Sequence, residues 1–188
     1  MKSGDRIKLG IQMFNFFAGG DWEHIKTQED AEQLLSKLAE AGYGAEEIVE
    51  KVLESRERVH TSFVVDSMDY LARARQVGKR TADIVNALML HPVLAMKSGK
   101  LSLGGVYFGT RDGSWKRYIA SSLTTMNKID NSILFVTYVG LDHKEKEKIE
   151  REIAKRMSFE KICFHQASPV IAVNCGPGTF GLLFMTEQ

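Results

Sequence analysis

The sequence has few cysteines and few prolines, and both shortages exclude classes of protein. Its 188 residues include two cysteines, Cys163 and Cys175, and three prolines. Two cysteines are too few for a disulfide framework or a cysteine-rich zinc motif. Three prolines leave no proline-rich linker between domains. We therefore expect free, reduced thiols in a cytoplasmic protein.

The sequence also lacks an excess of charge of either sign and any long apolar run. Its formal net charge is +1, which gives no electrostatic reason to expect nucleic acid or an anionic membrane surface as partner. No run approaches the length of a membrane span, and the first residues lack the apolar core of a signal peptide. With 44% hydrophobic and 26% charged residues, the composition is that of a globular domain with a substantial core.

Motifs that carry catalysis are missing as well. No serine or cysteine nucleophile stands beside a recognisable base, and no phosphate-binding Gly-x-x-x-x-Gly-Lys loop occurs. The histidines lack the spacing of metal ligands. The sequence therefore predicts a protein that is not an enzyme and has no cofactor or metal. The five histidines are His24, His60, His91, His143 and His165.

The hydrophobic periodicity alternates between strand and helix patterns, which predicts an α/β architecture with a mixed sheet and flanking helices. Pro92 is expected to end the helical region before it, and Ser98-Gly99 is a hairpin signal. The expected strands are 7–17, 62–65, 93–96, 101–103, 133–139, 161–165 and 179–185, and the expected helices are 27–42, 45–59, 67–75, 81–90, 113–126 and 142–157.

The most informative stretch is 167–184, where Gly176-Pro177-Gly178 lies between two apolar runs. Glycine accepts positive φ and a close approach of other groups, and proline fixes its own φ. Such a turn places backbone amides and the neighbouring Asn174 side chain at the edge of a sheet. The alternative interpretation is a tight connection between two buried strands.

Several segments resemble the DegV family of bacterial fatty-acid-binding proteins. Residues 60–66 read His-Thr-Ser-Phe-Val-Val-Asp, and residues 91–100 read His-Pro-Val-Leu-Ala-Met-Lys-Ser-Gly-Lys. Residues 105–109 and 133–140 resemble two further family segments, and 174–178 resembles the closing His-x-Gly-Pro segment. The motifs occur in the family's order, which makes the resemblance more specific than any one of them.

The resemblance covers about residues 40–188 and implies a DegV-like C-terminal domain at 61–188. Residues 1–60 are then a strand and helical lead-in that remains from the first domain. The hydroxyl-bearing loops of the family's first domain, Thr-Ser-x-Pro-Ser and Leu-Ser-Gly-Thr, are missing from the sequence. We therefore expect a chain shortened relative to the family.

The resemblance also implies a lipid site. We expect an acyl chain in an apolar cleft, with Tyr138, Asn174 and the glycines Gly176 and Gly178 at its polar end. Asn174 stands where the family has histidine, and such changes weaken carboxylate binding because neutral hydrogen bonds are weaker than charge-assisted ones. The pair Tyr138 and Asn174 suits a neutral lipid head or a weakly held carboxylate, or is an ordinary buried pair. The matched motifs add two further candidate ligand-binding residues, Thr61 and Phe108.

The resemblance further implies partners. A long-chain fatty acid or similar lipid is the expected ligand, a fatty acid kinase the expected protein partner, and a homodimer the expected assembly. The basic residues Arg73, Arg75, Lys79 and Arg80 form either a docking patch for that kinase or a solvated helix face.

Two alternatives to lipid carriage stay open. One is a degenerate structural or regulatory module that has lost ligand binding and acts through dimerisation or partner binding. The other is a phosphotransfer-related module, since the DegV fold is related to those of dihydroxyacetone kinase and a sugar phosphotransferase subunit. It requires an exposed, reactive histidine, and none of the five lies in a suitable motif.

Overall fold

The computed structural model describes residues 42–44, 46–47, 50, 58–97, 100–124 and 128–186. The chain divides into two compact units, Met1–Val59 and His60–Gln188. In the first unit, Glu46, Glu47 and Glu50 are helical and exposed. The predicted strand 7–17 and helix 27–42 lie outside the described residues.

The described part of the second unit is built on one mixed six-stranded sheet in the order β3-β2-β1-β6-β4-β5. Strands β2 and β3 form an antiparallel hairpin, while β4 pairs parallel with β5 and antiparallel with β6. The strands are β1 (Val59–Val64), β2 (Leu90–Lys97), β3 (Lys100–Phe108), β4 (Ile133–Tyr138), β5 (Lys161–Gln166) and β6 (Phe180–Met185). The helices are α1 (Asp69–Arg73), α2 (Lys79–Ala87), α3 (Arg111–Thr124), α4 (His143–Ala154) and α5 (Pro169–Cys175).

The sheet carries a hydrophobic core cluster on each face. One cluster includes Trp115 and Ile119 of α3 and Ile149 of α4, which pack with residues of the central strands. The second joins Leu71 of α1 and Ala82 of α2. The fold is therefore a mixed α/β sheet with helices on both faces, as the sequence predicts.

Helix α4 follows its sequence signals closely. The Asp142 carboxylate accepts the backbone N–H of Glu145 at 2.8 Å, and the Glu145 carboxylate accepts that of Asp142 at 2.9 Å. This capping box satisfies two donors that a helix start leaves unpaired. Ile149 and Ile153 are buried on one side, while the Lys and Glu residues form the solvated face.

One expectation and one alternative interpretation from the sequence are wrong. Pro92 does not end a helical region, because it lies inside β2 opposite Val106 and its carbonyl accepts the Val65 N–H at 2.9 Å. Proline fits here because this hydrogen bond between strands needs only its carbonyl oxygen and not the N–H that proline lacks. The alternative interpretation of the glycine turn as a connection between two buried strands is also wrong, because the run before the turn is helix α5. Pro169 occupies the first turn of this helix, where a missing N–H costs nothing.

Candidate functional site

The Gly176-Pro177-Gly178 turn links the end of α5 to the start of β6 and is fastened to the end of β4. The Gly178 N–H donates to the Val139 carbonyl at 2.9 Å, and the Val139 N–H donates to the Thr179 carbonyl at 2.9 Å. The Thr179 hydroxyl donates to the Cys175 carbonyl at 2.9 Å. The turn is thus held at a fixed place at one end of the sheet.

Both glycines of the turn are required by geometry. Gly176 has φ +75° and Gly178 has φ +82°, values that residues with a Cβ adopt only with strain. A Cβ at Gly176 would overlap the Tyr70 ring. A Cβ at Gly178 would lie 2.7 Å from Asp66 Oδ2 and 2.8 Å from Arg111 Nη2. The missing side chain of Gly178 therefore lets two charged groups approach the turn.

Those two charged groups belong to what we call the turn cluster, defined as Asp66, His91, Arg111 and Glu145. Arg111 Nε lies 3.5 Å from Asp66 Oδ1, and Arg111 Nη1 lies 2.9 Å from Glu145 Oε1. His91 Nδ1 lies 3.6 Å from the same Asp66 oxygen. The cluster joins groups from the end of β1, the start of β2 and the first turns of α3 and α4.

Three polar atoms in and beside the turn cluster are buried without a hydrogen-bond partner: His91 Nδ1, Arg111 Nε and Trp115 Nε1. The Arg111 guanidinium lies over the Trp115 ring, with its central carbon 4.4 Å from the ring centroid. Buried polar groups without partners are few in native proteins and call for an explanation. They mark this region as a place where a ligand group would gain hydrogen bonds.

The structure shows no hydrogen bond between Tyr138 and Asn174. Tyr138 packs against the first core cluster, and its ring centroid lies 6.4 Å from that of Phe164. Lys146 Nζ lies 5.2 Å from the Tyr138 ring centroid. The Asn174 side-chain amide donates to the Val170 carbonyl at 2.7 Å within α5. No hydrogen bond joins these two described residues, so they are not an ordinary buried pair.

The other candidate ligand residues fall in three places. Gly176 and Gly178 form the turn itself. Phe108 ends β3 with 63% of its surface exposed, and Arg117 donates to its carbonyl. Thr61 is half-buried in β1, where β1 pairs with the far half of β2. Thr61 therefore lies apart from Phe108, which pairs with Leu90 at the start of β2.

The predicted basic patch lies at the connection between α1 and α2. Arg73, Arg75 and Arg80 are all exposed. The Arg73 guanidinium lies 5.4 Å from the Tyr70 ring centroid. Because Tyr70 also packs against Gly176, the patch adjoins the glycine turn.

Sequence reasoning missed the turn cluster, although two of its members lay in the quoted motifs. Asp66 ends the segment 60–66, and His91 begins the segment 91–100. Their adjacency to the glycine turn was the missing information, because it requires β1, β2 and β6 to meet at one end of the sheet. Arg111 and Glu145 had no signal beyond their positions in the first turns of helices.

An exposed apolar surface covers one face of the β2–β3 hairpin, and we call it the outer hairpin face. Its members share the face because alternate residues of β2 pair with them, with the register shifted by a bulge at Gly104. Surface patches of this kind mark interaction or ligand sites. The face consists of Met96, Leu101, Leu103, Val106 and Phe108, each of which is exposed.

Helix α2 lies on the same side of the sheet and extends this surface. Its Ala82 and Val85 pack with Leu94, which pairs with Leu103. Ile84, Leu88 and Met89, in and just after α2, are exposed. The Gly109 N–H donates to the Met89 carbonyl at 3.0 Å, and the Gly109 carbonyl lies 3.1 Å from His91 Nε2. The Gly109 backbone therefore links the end of this surface to His91, whose side chain lies on the opposite face of β2 from Phe108.

A pocket of about 310 Å³ lies between α3 and α4. Its floor includes Trp115, Ile119 and Ile149, and two ion pairs line its rim. Lys148 Nζ lies 2.8 Å from Asp112 Oδ2 and lowers the pKa of that carboxyl, and Lys155 does the same to Glu152. Each basic partner favours the ionised carboxylate.

No metal centre is formed by the residues that the structure describes. They include no group of three or more His, Cys, Asp or Glu side chains placed to hold a metal ion. Both cysteines are free, as the sequence predicts. Burial raises the pKa of the Cys175 thiol, which disfavours the reactive thiolate. Within the described helices, none is both long and apolar enough to cross a bilayer.

The fold and its motifs identify the protein's family. A family model of uncharacterised DegV-family proteins matches residues 33–187. The chain belongs to the DegV family, which confirms the resemblance carried by the sequence motifs.

Curated relatives extend well beyond this chain. A DegV domain-containing protein from Clostridium acetobutylicum is 28% identical over 167 residues, which cover 81% of this chain and 54% of the relative. A second, from Caldanaerobacter subterraneus, is 27% identical over 154 residues and covers 79% of this chain and 52% of the relative. The chain thus spans about half the length of the curated relatives it matches.

Solved structures share the fold at low sequence identity. A DegV family protein from Eubacterium eligens, loaded with heptadecanoic acid, aligns with a TM-score of 0.66 at 19% identity, over 82% of this chain and 55% of its own. The B3 protein of a fatty acid kinase from Streptococcus pneumoniae, loaded with linoleic acid, aligns with a TM-score of 0.66 at 17% identity, over 82% and 54%. These alignments confirm the DegV fold for the matched part of the chain.

Proposed function

We propose that this protein is a non-enzymatic carrier of a long-chain fatty acid or similar acyl lipid. The observation that carries the proposal is the outer hairpin face, a set of exposed apolar side chains that ends at Phe108, close along the sheet to the strand end that bears His91 of the turn cluster. An acyl lipid has the same order of parts, an apolar chain and a polar head. Family membership and the fatty acids held by the E. eligens and S. pneumoniae neighbours support it.

The apolar term alone supplies useful affinity. Each buried methylene contributes about 0.8 kcal/mol, so ten methylenes contribute about 8 kcal/mol. Before the cost of association is subtracted, that free energy corresponds to a Kd of about 1 μM. This apolar contribution does not depend on the histidine that Asn174 replaces.

In this proposal the glycine turn marks the polar end of the site. Gly176 leaves room for the Tyr70 ring, and Gly178 leaves room for the Asp66 and Arg111 side chains. Phe108 lies at the apolar side. Three other candidate residues lie outside the turn, in β4, α5 and β1. They contact the lipid only if it extends beyond the turn. These residues are Tyr138, Asn174 and Thr61.

Native mass spectrometry on freshly purified protein, followed by extraction of released lipid and by uptake of added oleate, tests carriage. We expect a stoichiometric acyl lipid, and we expect Leu103→Asp to reduce oleate uptake. The matched control is Val173→Asp, which places the same charge at an equally exposed apolar position on α5. Lipid-free protein that fails to take up oleate would overturn the proposal, as would equal loss in both variants.

The competing function is an interaction module that uses the same apolar face for a second copy of the chain. The observation that favours it is the position of β3 at the end of the described sheet, where its outer backbone groups have no strand partner among the described residues. Edge strands of this kind pair readily with other chains. A dimer also covers an apolar patch that a monomer would expose.

A fatty acid kinase is the protein partner we propose, by analogy with the S. pneumoniae neighbour. Arg73, Arg75 and Arg80 supply an exposed basic surface beside the glycine turn. A cytoplasmic location is part of the same proposal. Charge reversal at Arg80 is expected to weaken kinase association without changing lipid uptake, measured by co-sedimentation and by the oleate assay.

A further inference from the structure

The pocket between α3 and α4 is lined by one face of each helix. Its α3 side runs from Asp112 to Ile119, and its α4 side runs from Lys148 to Lys155. The lining residues of each helix recur three and four positions apart, which places them on a single face. The volume of about 310 Å³ lies near the lower end of the range for ligand pockets. The pocket therefore suits a small ligand.

The walls of this pocket carry more positive than negative charge. Four cations against two carboxylates leave a formal charge of +2, while the whole chain carries +1. The positive charge is therefore concentrated at this place. The cations are Lys116, Lys148, Arg151 and Lys155, and the carboxylates are Asp112 and Glu152.

The two ion pairs on the rim already occupy both carboxylates, at distances of 2.8 and 2.6 Å. They leave Lys116 and Arg151, which are exposed and form no ion pair with the described residues. The charge of Lys116 helps to lower the pKa of both Asp112 and Glu152, so it lies near each of them. The pocket therefore offers these two positive charges to a ligand.

We propose that the pocket between α3 and α4 binds a small soluble phosphate monoester, with Lys116 and Arg151 as its charged contacts. Such a phosphate carries a charge of about −2 at neutral pH and three acceptor oxygens. Lysine and arginine side chains bring only donors, and arginine can bind two phosphate oxygens at once. A monoanion would match only one of the two free cations. The ligand's charge is thus the complement of the charge that the ion pairs leave over.

The floor of the pocket adds shape more than affinity. Trp115, Ile119 and Ile149 form it and are almost fully buried, so the charged rim determines what binds. No residue of the outer hairpin face lines the pocket. The phosphate site therefore does not depend on the proposed acyl carriage.

Isothermal titration calorimetry of the full chain with glycerol 3-phosphate tests the proposal. We expect saturable one-to-one binding at low ionic strength, with acetate at least about tenfold weaker because it carries a single charge. Vesicles that contain phosphatidate present the same phosphate group on a membrane and distinguish the two sources. Absence of binding, acetate that binds as tightly, or binding to the vesicles alone would overturn the proposal.

Variants locate the binding in this pocket. Lys116→Gln and Arg151→Gln each remove one free cation, and we expect each to weaken glycerol 3-phosphate binding about tenfold. Both side chains are exposed, and urea denaturation verifies that the variants fold. Lys144→Gln removes an exposed cation of α4 that does not line the pocket and is the control. Unchanged binding in both pocket variants, or equal weakening in the control, would overturn the assignment.

Discussion

At the residue scale, the Tyr118 hydroxyl is a fully buried polar group that hydrogen-bonds to two strands. It donates to the Ser62 carbonyl at 2.7 Å and accepts from the Leu182 N–H at 3.0 Å. The neighbouring strands β1 and β6 are thus bridged by a side chain of α3. Burial raises the pKa of Tyr118, because ionisation in this setting would cost solvation.

Replacing Tyr118 by phenylalanine tests this bridge. Tyr118→Phe leaves a buried donor and a buried acceptor unpaired, and we expect the free energy of unfolding to fall by about 2–3 kcal/mol. Urea denaturation measures the change. Tyr107→Phe is the control, because the Tyr107 hydroxyl makes no hydrogen bond with the described residues. The half-buried Tyr107 ring lies with its centroid 5.9 Å from Arg117 Cζ, and this contact is kept in phenylalanine. Equal effects would show that the bridge adds no stability.

His60 makes the free energy of unfolding depend on pH in the mildly acidic range. Its ring stacks on Phe184 at 4.7 Å, and burial lowers its pKa below the usual 6.5. Because the pKa is lowered on folding, the folded state binds fewer protons than the unfolded state as pH falls below the ordinary value of 6.5. Stability is therefore full above pH 6.5 and declines as pH falls through the folded-state pKa.

We expect His60→Gln to make the loss of stability between pH 6.5 and 5 shallower than in the parent. Glutamine keeps a polar side chain but does not titrate. The measurement is urea denaturation across this pH range, with His143→Gln as control because His143 is 83% exposed. A slope that changes equally in both variants would contradict the role of burial at His60.

At the element scale, the glycine turn depends on backbone conformation and on close contact together. Gly178→Ala combines φ +82° with a Cβ 2.7 Å from Asp66 Oδ2, and we expect a loss of about 2 kcal/mol or more in unfolding free energy. Thermal and urea unfolding report it. Gly105→Ala serves as control, because a Cβ there meets nothing within 4 Å. A mild Gly178→Ala variant would show that the turn shifts freely.

The end of α1 carries a residue that its conformation disfavours. Arg75 has φ +57°, its N–H donates to the Ala72 carbonyl, and the Gln76 N–H donates to the Leu71 carbonyl. This pattern is a Schellman motif, in which glycine is the usual residue at the position of Arg75.

We expect Arg75→Gly to raise the free energy of unfolding by up to about 1 kcal/mol, because glycine relieves left-handed strain. The matched change is Arg73→Gly in the last turn of α1, where glycine lowers helix stability. The denaturant midpoints of the two variants measure these opposite changes in stability. Destabilisation by Arg75→Gly would mean that the arginine side chain stabilises the fold by more than its backbone strain costs.

At the scale of the whole molecule, the outer hairpin face connects carriage with assembly. Its five apolar side chains are exposed in the single chain. If lipid covers the face, lipid-loaded protein is monomeric; if a second copy covers it, lipid-free protein is dimeric and Leu103→Asp breaks the dimer. We expect added lipid to shift sedimentation velocity profiles towards monomer. A mass that responds neither to lipid nor to Leu103→Asp would contradict both uses of the face.

The sequence alone determined the family, the α/β class and most elements, for reasons local to the chain. The Ser98-Gly99 signal predicted the β2–β3 hairpin, and Asp142 with Glu145 caps the helix expected at 142–157. Periodicity and capping operate over a few residues, so they can be read without coordinates. The same locality explains the errors at Pro92 and at α5, whose conformations depend on the strands and helices around them.

Only the tertiary structure decided the site. Asp66, His91, Arg111 and Glu145 are far apart in sequence and meet because the ends of β1 and β2 and the starts of α3 and α4 converge beside Gly178. Tyr138 packs against a core cluster and Asn174 is hydrogen-bonded within helix α5, and no hydrogen bond joins these two described residues. Charge balance and unpartnered buried atoms arise from packing between distant segments, and no local pattern in the sequence encodes them.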